Sequence, residues 1–110
     1  MPLTRHEKKW ISAYRRALKK THPRAVVRLS LYGSKARGDD HAESDLDILL
    51  VIANKAAPLK RKLRDIGYLL AATGELVPSI MAYTEAEWER LKVIGSPFRS
   101  AIERDEVGLL

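Results

Sequence analysis

The chain has no cysteine, one phenylalanine, two tryptophans and four tyrosines in 110 residues. Without cysteine, disulfides and thiolate-bound metals are excluded. No apolar run approaches the roughly eighteen residues of a membrane-spanning helix, so no such span is expected. The opening stretch, MPLTRHEKKWISAYRR, carries charges where a secretion signal needs an apolar centre. These absences predict a cytoplasmic protein. Repeats, low-complexity tracts and linker-like segments are also missing, which predicts one domain over residues 1–110 with a modest core. The 45% apolar content is ordinary for a globular chain.

Positive charge is in excess, at a net +6. Much of it lies early, where Arg5, Lys8, Lys9, Arg15, Arg16, Lys19 and Lys20 face only Glu7. A second cluster is Lys60, Arg61, Lys62 and Arg64. Basic patches attract phosphates or acidic partners. The plainer reading is a pair of solvated helix faces. The shortage of interleaved aromatics also argues against a base-stacking nucleic-acid platform. Only Trp10 and Tyr14 come close, and their spacing equally suits a helix face packed on the core.

Helices and strands alternate along the chain. Thr4 would cap a helix to about Lys20, with Trp10, Ile11, Tyr14, Ala17 and Leu18 in one stripe. A strand is predicted over 25–32 (AVVRLSLY) and a second, mostly buried, over 45–52 (DLDILLVI). Pro58 to Ala72 reads as a helix placing Leu59, Leu63, Ile66, Leu69 and Leu70 on one side, with proline at its start and Gly74 at its end. A third strand covers 76–83, where Pro78 argues for an edge or irregular pairing. Thr84 and Glu87 form a capping box opening a helix to about Val93, and Ser96-Pro97 opens a short final helix. The expected fold is α/β (α+β): a small mixed sheet covered by helices mainly on one face.

Chemistry concentrates in LYGSKARGDDHAESDLDILLVI, residues 31–52. Gly33 and Ser34 end the first strand, and Lys35 to Arg37 would start a short helix capped by Ser34. The first amides of such a helix are donors without intrahelical partners and suit a phosphate, which Gly33 lets approach. Lys35 and Arg37 add charge. Asp45 and Asp47 share one strand face, with Leu46 pointing into the core between them. Two neighbouring carboxylates repel, and Mg²⁺, commonly held by one or two carboxylates plus substrate phosphates, removes that conflict. If the two strands are neighbours, turn and aspartates meet at one end of the sheet.

Gly33-Ser34, ten residues, then Asp45-Leu46-Asp47 between apolar strands resembles the signature of the DNA polymerase β-like nucleotidyltransferase superfamily. The form Gly33-Ser34-Lys35-Ala36-Arg37-Gly38 with Ser44-Asp45-Leu46-Asp47 resembles the minimal nucleotidyltransferases. More loosely, so do Thr84-Glu85-Ala86-Glu87-Trp88 and Ser96-Pro97-Phe98. The resemblance covers residue 25 onward. It implies catalytic, Mg²⁺-holding Asp45 and Asp47 and a nucleotide-binding Gly33, Ser34, Lys35 and Arg37. A nucleoside monophosphate, most often AMP from ATP, would pass to an acceptor with pyrophosphate leaving. The family usually adds a third carboxylate from the next strand, but residues 76–83 contain none. Ser79 stands mid-strand, and Glu75 just before it is an outside candidate. The chain is short for a separate acceptor-binding domain. The resemblance supplies a partner instead: a small helical HEPN-type RNase toxin, for which such proteins serve as antitoxins. Three alternatives stay open: an active enzyme acting on a small molecule or another protein, a degenerate member that binds nucleotide or only its partner and neutralises by contact, and a nucleic-acid module using the basic first helix.

The remaining candidates are weaker. His41, Asp39 and Asp40 read as loop residues, and His6 and His22 have no partner spaced for a metal site. Tyr32 and Tyr68 read as packing residues.

Overall fold

A computed structural model describes residues 3–38, 45–74 and 76–110. Helix α1, Arg5–Thr21, begins at a reciprocal cap. The Glu7 amide donates to Thr4 Oγ1 at 3.1 Å, and the Thr4 amide donates to Glu7 Oε1 at 2.8 Å. Strand β1, Val26–Tyr32, leads into a one-turn helix α2, Gly33–Arg37, and strand β2, Leu46–Ile52, follows. A 3-10 turn, Asn54–Leu59, precedes α3, Lys60–Ala71. Strand β3, Pro78–Thr84, then α4, Glu85–Val93, α5, Pro97–Asp105, and the two-residue β4, Val107–Gly108, complete the order.

The four strands run β3-β2-β1-β4. β1 pairs antiparallel with both β2 and β4, whereas β3 lies parallel to β2 on the outer edge. Central β2 is the most buried strand. Leu46, Ile48, Leu50 and Ile52 join Leu29 and Leu31 of β1 in a core against Trp10, Ile11, Tyr14, Leu18 and Leu63 of α1 and α3. The opposite side chains of β2, Leu49 and Val51, form a smaller cluster with Trp88 of α4 and Ile102 of α5. Helices α1 and α3 therefore cover one face, while α4 and α5 pack on the other around Leu49 and Val51. The predicted mixed sheet with its main cover on one face is the architecture found.

Helix α3 departs from the expected pattern. Pro58 lies inside the 3-10 turn, and the α-helix starts at Lys60. Of the leucines expected to share one side, Leu63 is fully buried, while Leu69 and Leu70 are exposed. The inward stripe instead runs through Leu63, Gly67 and Ala71. A Cβ on Gly67 would sit 2.5 Å from Ile80 Cδ1 and 3.0 Å from Tyr14 Cζ, so any larger residue would force these side chains to shift. The Trp10 indole N–H donates to the Gly67 carbonyl at 2.9 Å, and the Tyr14 hydroxyl to the Leu63 carbonyl at 2.8 Å, locking α1 to α3. Tyr68 is not a core residue. It is exposed on α3, and its hydroxyl accepts the Ile80 amide at 3.0 Å, satisfying one donor of β3. Pro78 opens this edge strand, where its missing N–H is tolerated.

Candidate active site

The backbone brings the Gly-Ser turn and the aspartates together. Tyr32, the last residue of β1, lies opposite Asp47 in the antiparallel register. Gly33 therefore turns the chain directly beside Asp47, with a left-handed φ of +75°. A Cβ at Gly33 would lie 2.3 Å from Asp47 Oδ2, so the carboxylate is packed over the bare glycine. Ser34 is the second residue of α2 rather than its cap; Tyr32 occupies the capping position, without a side-chain cap bond. Gly38, at φ +79°, ends the helix, with its amide donating to the Ser34 carbonyl at 2.9 Å.

Asp45 is exposed and Asp47 half-buried, with Leu46 turned into the core. Burial and then the neighbouring Asp45 charge raise the Asp47 carboxyl above its ordinary 3.8, while Arg37 opposes the rise. The Arg37 guanidinium is accessible and lies 3.9 Å from the Asp105 carboxylate of α5. Across the strand pair, burial first and then Asp47 push Tyr32 up to about 12, so its hydroxyl stays protonated at neutral pH.

Lys35 corrects the expectation of a phosphate-facing lysine. Its side chain is 7% exposed, and its ammonium lies 2.9 Å from Glu7 Oε2. Burial opposes charge on Glu7, but the Thr4 amide and Lys35 together outweigh it and hold the carboxyl below its ordinary 4.5. Lys35 thus ties α2 to α1. Thr4 was readable in the sequence as a cap, but the reciprocal bond from Glu7 and its use as a clamp on the turn were not.

In the parallel pairing of β2 with β3, Ser79 stands level with Asp47. The position beside the metal-binding candidate therefore carries a hydroxyl. Among the described residues, no three carboxylate, histidine or cysteine side chains converge on one point. Two carboxylates fit Mg²⁺, which keeps several waters and takes its other ligands from phosphates. The raised Asp47 carboxyl has the same cause a cation would relieve, a partly buried negative charge beside a second one. Asp39, Asp40, His41, Ser44 and Glu75 lie outside the described residues. His6 is exposed and His22 half-buried.

One group escaped the sequence reading. On the Asp47 face, Tyr32 meets Phe98 of α5 edge-on, with ring centroids 5.9 Å apart, and Phe98 meets Tyr83 of β3 at 6.5 Å. Tyr83 continues to Trp88 at 5.6 Å. The Ser96-Pro97-Phe98 segment was visible, but nothing local said that Phe98 would stand beside the end of β1. Behind this row the buried Arg99 guanidinium lies 4.9 Å over the Trp88 ring and donates to the Trp88 carbonyl, fixing α5 against α4.

The fold is thus a mixed sheet with an aspartate of its central strand packed beside a Gly-Ser turn. The chain belongs to the nucleotidyltransferase domain family, whose sequence profile matches residues 11–103. Its fold is similar to the crystal structure of a candidate nucleotidyltransferase from Sulfolobus solfataricus. The TM-score is 0.55 at 22% identity, over 91% of this chain and 76% of that one. No curated protein matches the chain. Among the described residues, no helix is long and apolar enough to cross a membrane.

Proposed function

We propose that the protein is a Mg²⁺-dependent nucleotidyltransferase that moves AMP from ATP to a hydroxyl of a partner protein. The observation carrying this reading is the contact between the Asp47 carboxylate and Gly33. It sets the carboxylate strand and the phosphate turn against one another at one end of the sheet. Asp45 and Asp47 would hold the metal, which when bound neutralises the triphosphate and polarises its α-phosphorus. Gly33 and Ser34 offer backbone amides to the β- and γ-phosphates, and the accessible Arg37 adds a cation beside them.

In the transfer, the acceptor oxygen forms a bond to the α-phosphorus. The bond from that phosphorus to the bridging oxygen breaks, and pyrophosphate leaves with the electron pair. The acceptor hydroxyl loses its proton. That proton passes to solvent, since Ser79, level with Asp47 on the neighbouring strand, is no base.

The partner reading rests on the resemblance to minimal nucleotidyltransferases: a small helical HEPN-type toxin neutralised by AMP on one of its hydroxyls. A second reading, neutralisation by contact alone, is favoured by Ser79 where the family usually has a carboxylate. Labelled ATP, Mg²⁺, this protein and a helical partner encoded beside it decide between the two. An AMP mass increment on the partner, absent with Asp45→Asn or Asp47→Asn, establishes transfer. An unmodified complex that forms equally well with both variants establishes contact. Neither product removes the antitoxin role.

A further inference from the structure

The Asp47 face of the sheet changes character along its length. Around Leu49 and Val51 it is sealed by Trp88 and Ile102. At Asp47 and along the outer β3 edge it opens: Ser79 is half-buried, Met81 is 39% exposed and Phe98 is 37% exposed. Strand alternation puts Asp47, Ser79, Met81 and Tyr83 on this same side, because Asp47 pairs with Ser79 and Leu49 with Met81 in the parallel register. Tyr32 flanks Asp47 from the β1 side, and Phe98 bridges Tyr32 to Tyr83 across the opening. The exposed part of the face is thus an aromatic and thioether shelf that runs from the Asp47 carboxylate along the outer β3 edge to Tyr83, which stands level with Val51. Exposed aromatic and methionine surface of this kind is the usual lining of a small-ligand site with few polar groups.

We propose that this shelf, with Phe98 as its principal contact, binds the base of the nucleotide by stacking. The inference rests on the nucleotidyltransferase reading of the Asp47 end and adds where the base goes and what holds it. A nucleotide is the one occupant that joins the two halves of this surface. Its phosphates seek the Gly33 turn and the aspartates, while its planar apolar base seeks a π-face beside them. Tyr32 and Tyr83 carry no charge at neutral pH, since burial raises both hydroxyls. A shelf of rings and a thioether, without a charged hydrogen-bonding group of its own, grips any base by its π-face. It therefore predicts loose discrimination among bases.

The test separates base from phosphate. Binding of ATP and of inorganic tripolyphosphate, each with Mg²⁺, is measured by calorimetry on the wild type, Phe98→Ala and Phe98→Leu. Phe98→Leu keeps apolar volume against Tyr32 and Tyr83, and melting curves check that both variants fold. The expected result is tighter binding of ATP than of tripolyphosphate by the wild type. Both variants should lose about tenfold in ATP affinity, within the range for one base–aromatic stack, with tripolyphosphate unchanged. Unchanged ATP affinity in a folded Phe98→Leu, or an equal loss for both ligands, overturns the shelf but leaves the phosphate site standing. Unchanged ATP affinity with slower transfer to a partner also overturns it and assigns the shelf to the acceptor. If the wild type binds neither ligand, the nucleotidyltransferase reading fails and this inference fails with it.

Discussion

The Asp47 carboxylate occupies the space that a side chain on Gly33 would fill, with Oδ2 2.3 Å from the position of a Cβ. Each residue therefore constrains the other. The glycine is needed for its left-handed φ of +75° and for the bare surface it offers, and the aspartate rotamer is set partly by that surface. The strand carrying the carboxylates and the Gly33 turn are one packed unit.

Gly33→Ala should separate stability from binding. The left-handed conformation costs an ordinary residue about 1–2 kcal/mol, which thermal or denaturant unfolding would register as a modest loss. The clash is with the end of a flexible side chain, so Asp47 can swing aside cheaply and the chain should still fold. Displaced, Asp47 no longer faces the turn, and the stabilisation of the folded state by ATP with Mg²⁺ should vanish. A variant that folds and keeps the full ATP-dependent shift would show that the contact is incidental to binding.

Asp47→Asn should stabilise the free protein, increasingly so as pH rises. The Asp47 carboxyl sits above its ordinary 3.8 through burial and the Asp45 charge. Between 3.8 and its folded value, the native state holds the proton more tightly than the unfolded chain does. This residue's contribution therefore worsens as pH rises through that window and stays unfavourable above it. Asparagine removes the titration, so the gap in melting temperature between variant and wild type should open from acid toward neutral pH. The variant should also lose its response to ATP with Mg²⁺. A gap that closes with rising pH would mean that Asp47 is stabilised as an anion, contrary to its surroundings.

The parts of the site legible in the sequence were those fixed by short-range geometry. The period of two put Leu46 in the core and Asp45 and Asp47 opposite it, and a glycine between two apolar runs marked the turn. What escaped was set by partners distant in sequence. Lys35 sits two residues from the turn and reads as a phosphate ligand until the fold brings Glu7 against it. Leu69 and Leu70 fit an apolar stripe, but the side of α3 that faces Tyr14 and Ile80 is the one carrying Gly67. β4 is too short to show any period, and Phe98 lacked a neighbour until α5 folded back over the sheet.

Glu7→Gln tests the clamp between α1 and α2. The Glu7 and Lys35 side chains are both 7% exposed and 2.9 Å apart. Breaking a buried pair by removing one charge costs about 3–5 kcal/mol, and the lower end is expected because an amide oxygen can still accept a hydrogen bond. The pH dependence carries the opposite sign to Asp47. Glu7 titrates below its ordinary 4.5, so its stabilisation is present above 4.5 and lost as pH falls through the folded value. Denaturant midpoints should thus differ most at neutral pH and converge in acid. ATP affinity should fall as well, because α2 loses its anchor, and Glu7→Asp should recover part of both effects. Equal midpoints at neutral pH would show that the pair contributes nothing.

The basic face of α1 yields the last expectation. Arg5, Lys8, Lys9, Arg15, Arg16, Lys19 and Lys20 are all exposed, and none has an ion-pair partner among the described residues. Arg15, Arg16 and Lys19 border a 500 Å³ groove with His22, Val26 and Leu110. Val26 pairs with Ile52, at the far end of β1 from Gly33, so this surface is separate from the Asp47 end. Trp10 and Tyr14, the aromatics of α1, are buried against α3, with ring centroids 5.1 Å apart, and offer no stacking surface outward. Charge without stacking predicts weak, sequence-independent attraction to nucleic acid, with Kd on the order of 10⁻⁴–10⁻⁶ M at physiological salt. Each phosphate neutralised releases counterions, so affinity should drop steeply between low and moderate salt. Replacing Arg15, Arg16 and Lys19 with glutamate should flatten that dependence. Fluorescence anisotropy with labelled single- and double-stranded oligonucleotides over a salt series measures both effects. Tight binding that survives high salt would require contacts beyond the phosphates and would make nucleic acid a principal ligand of this face.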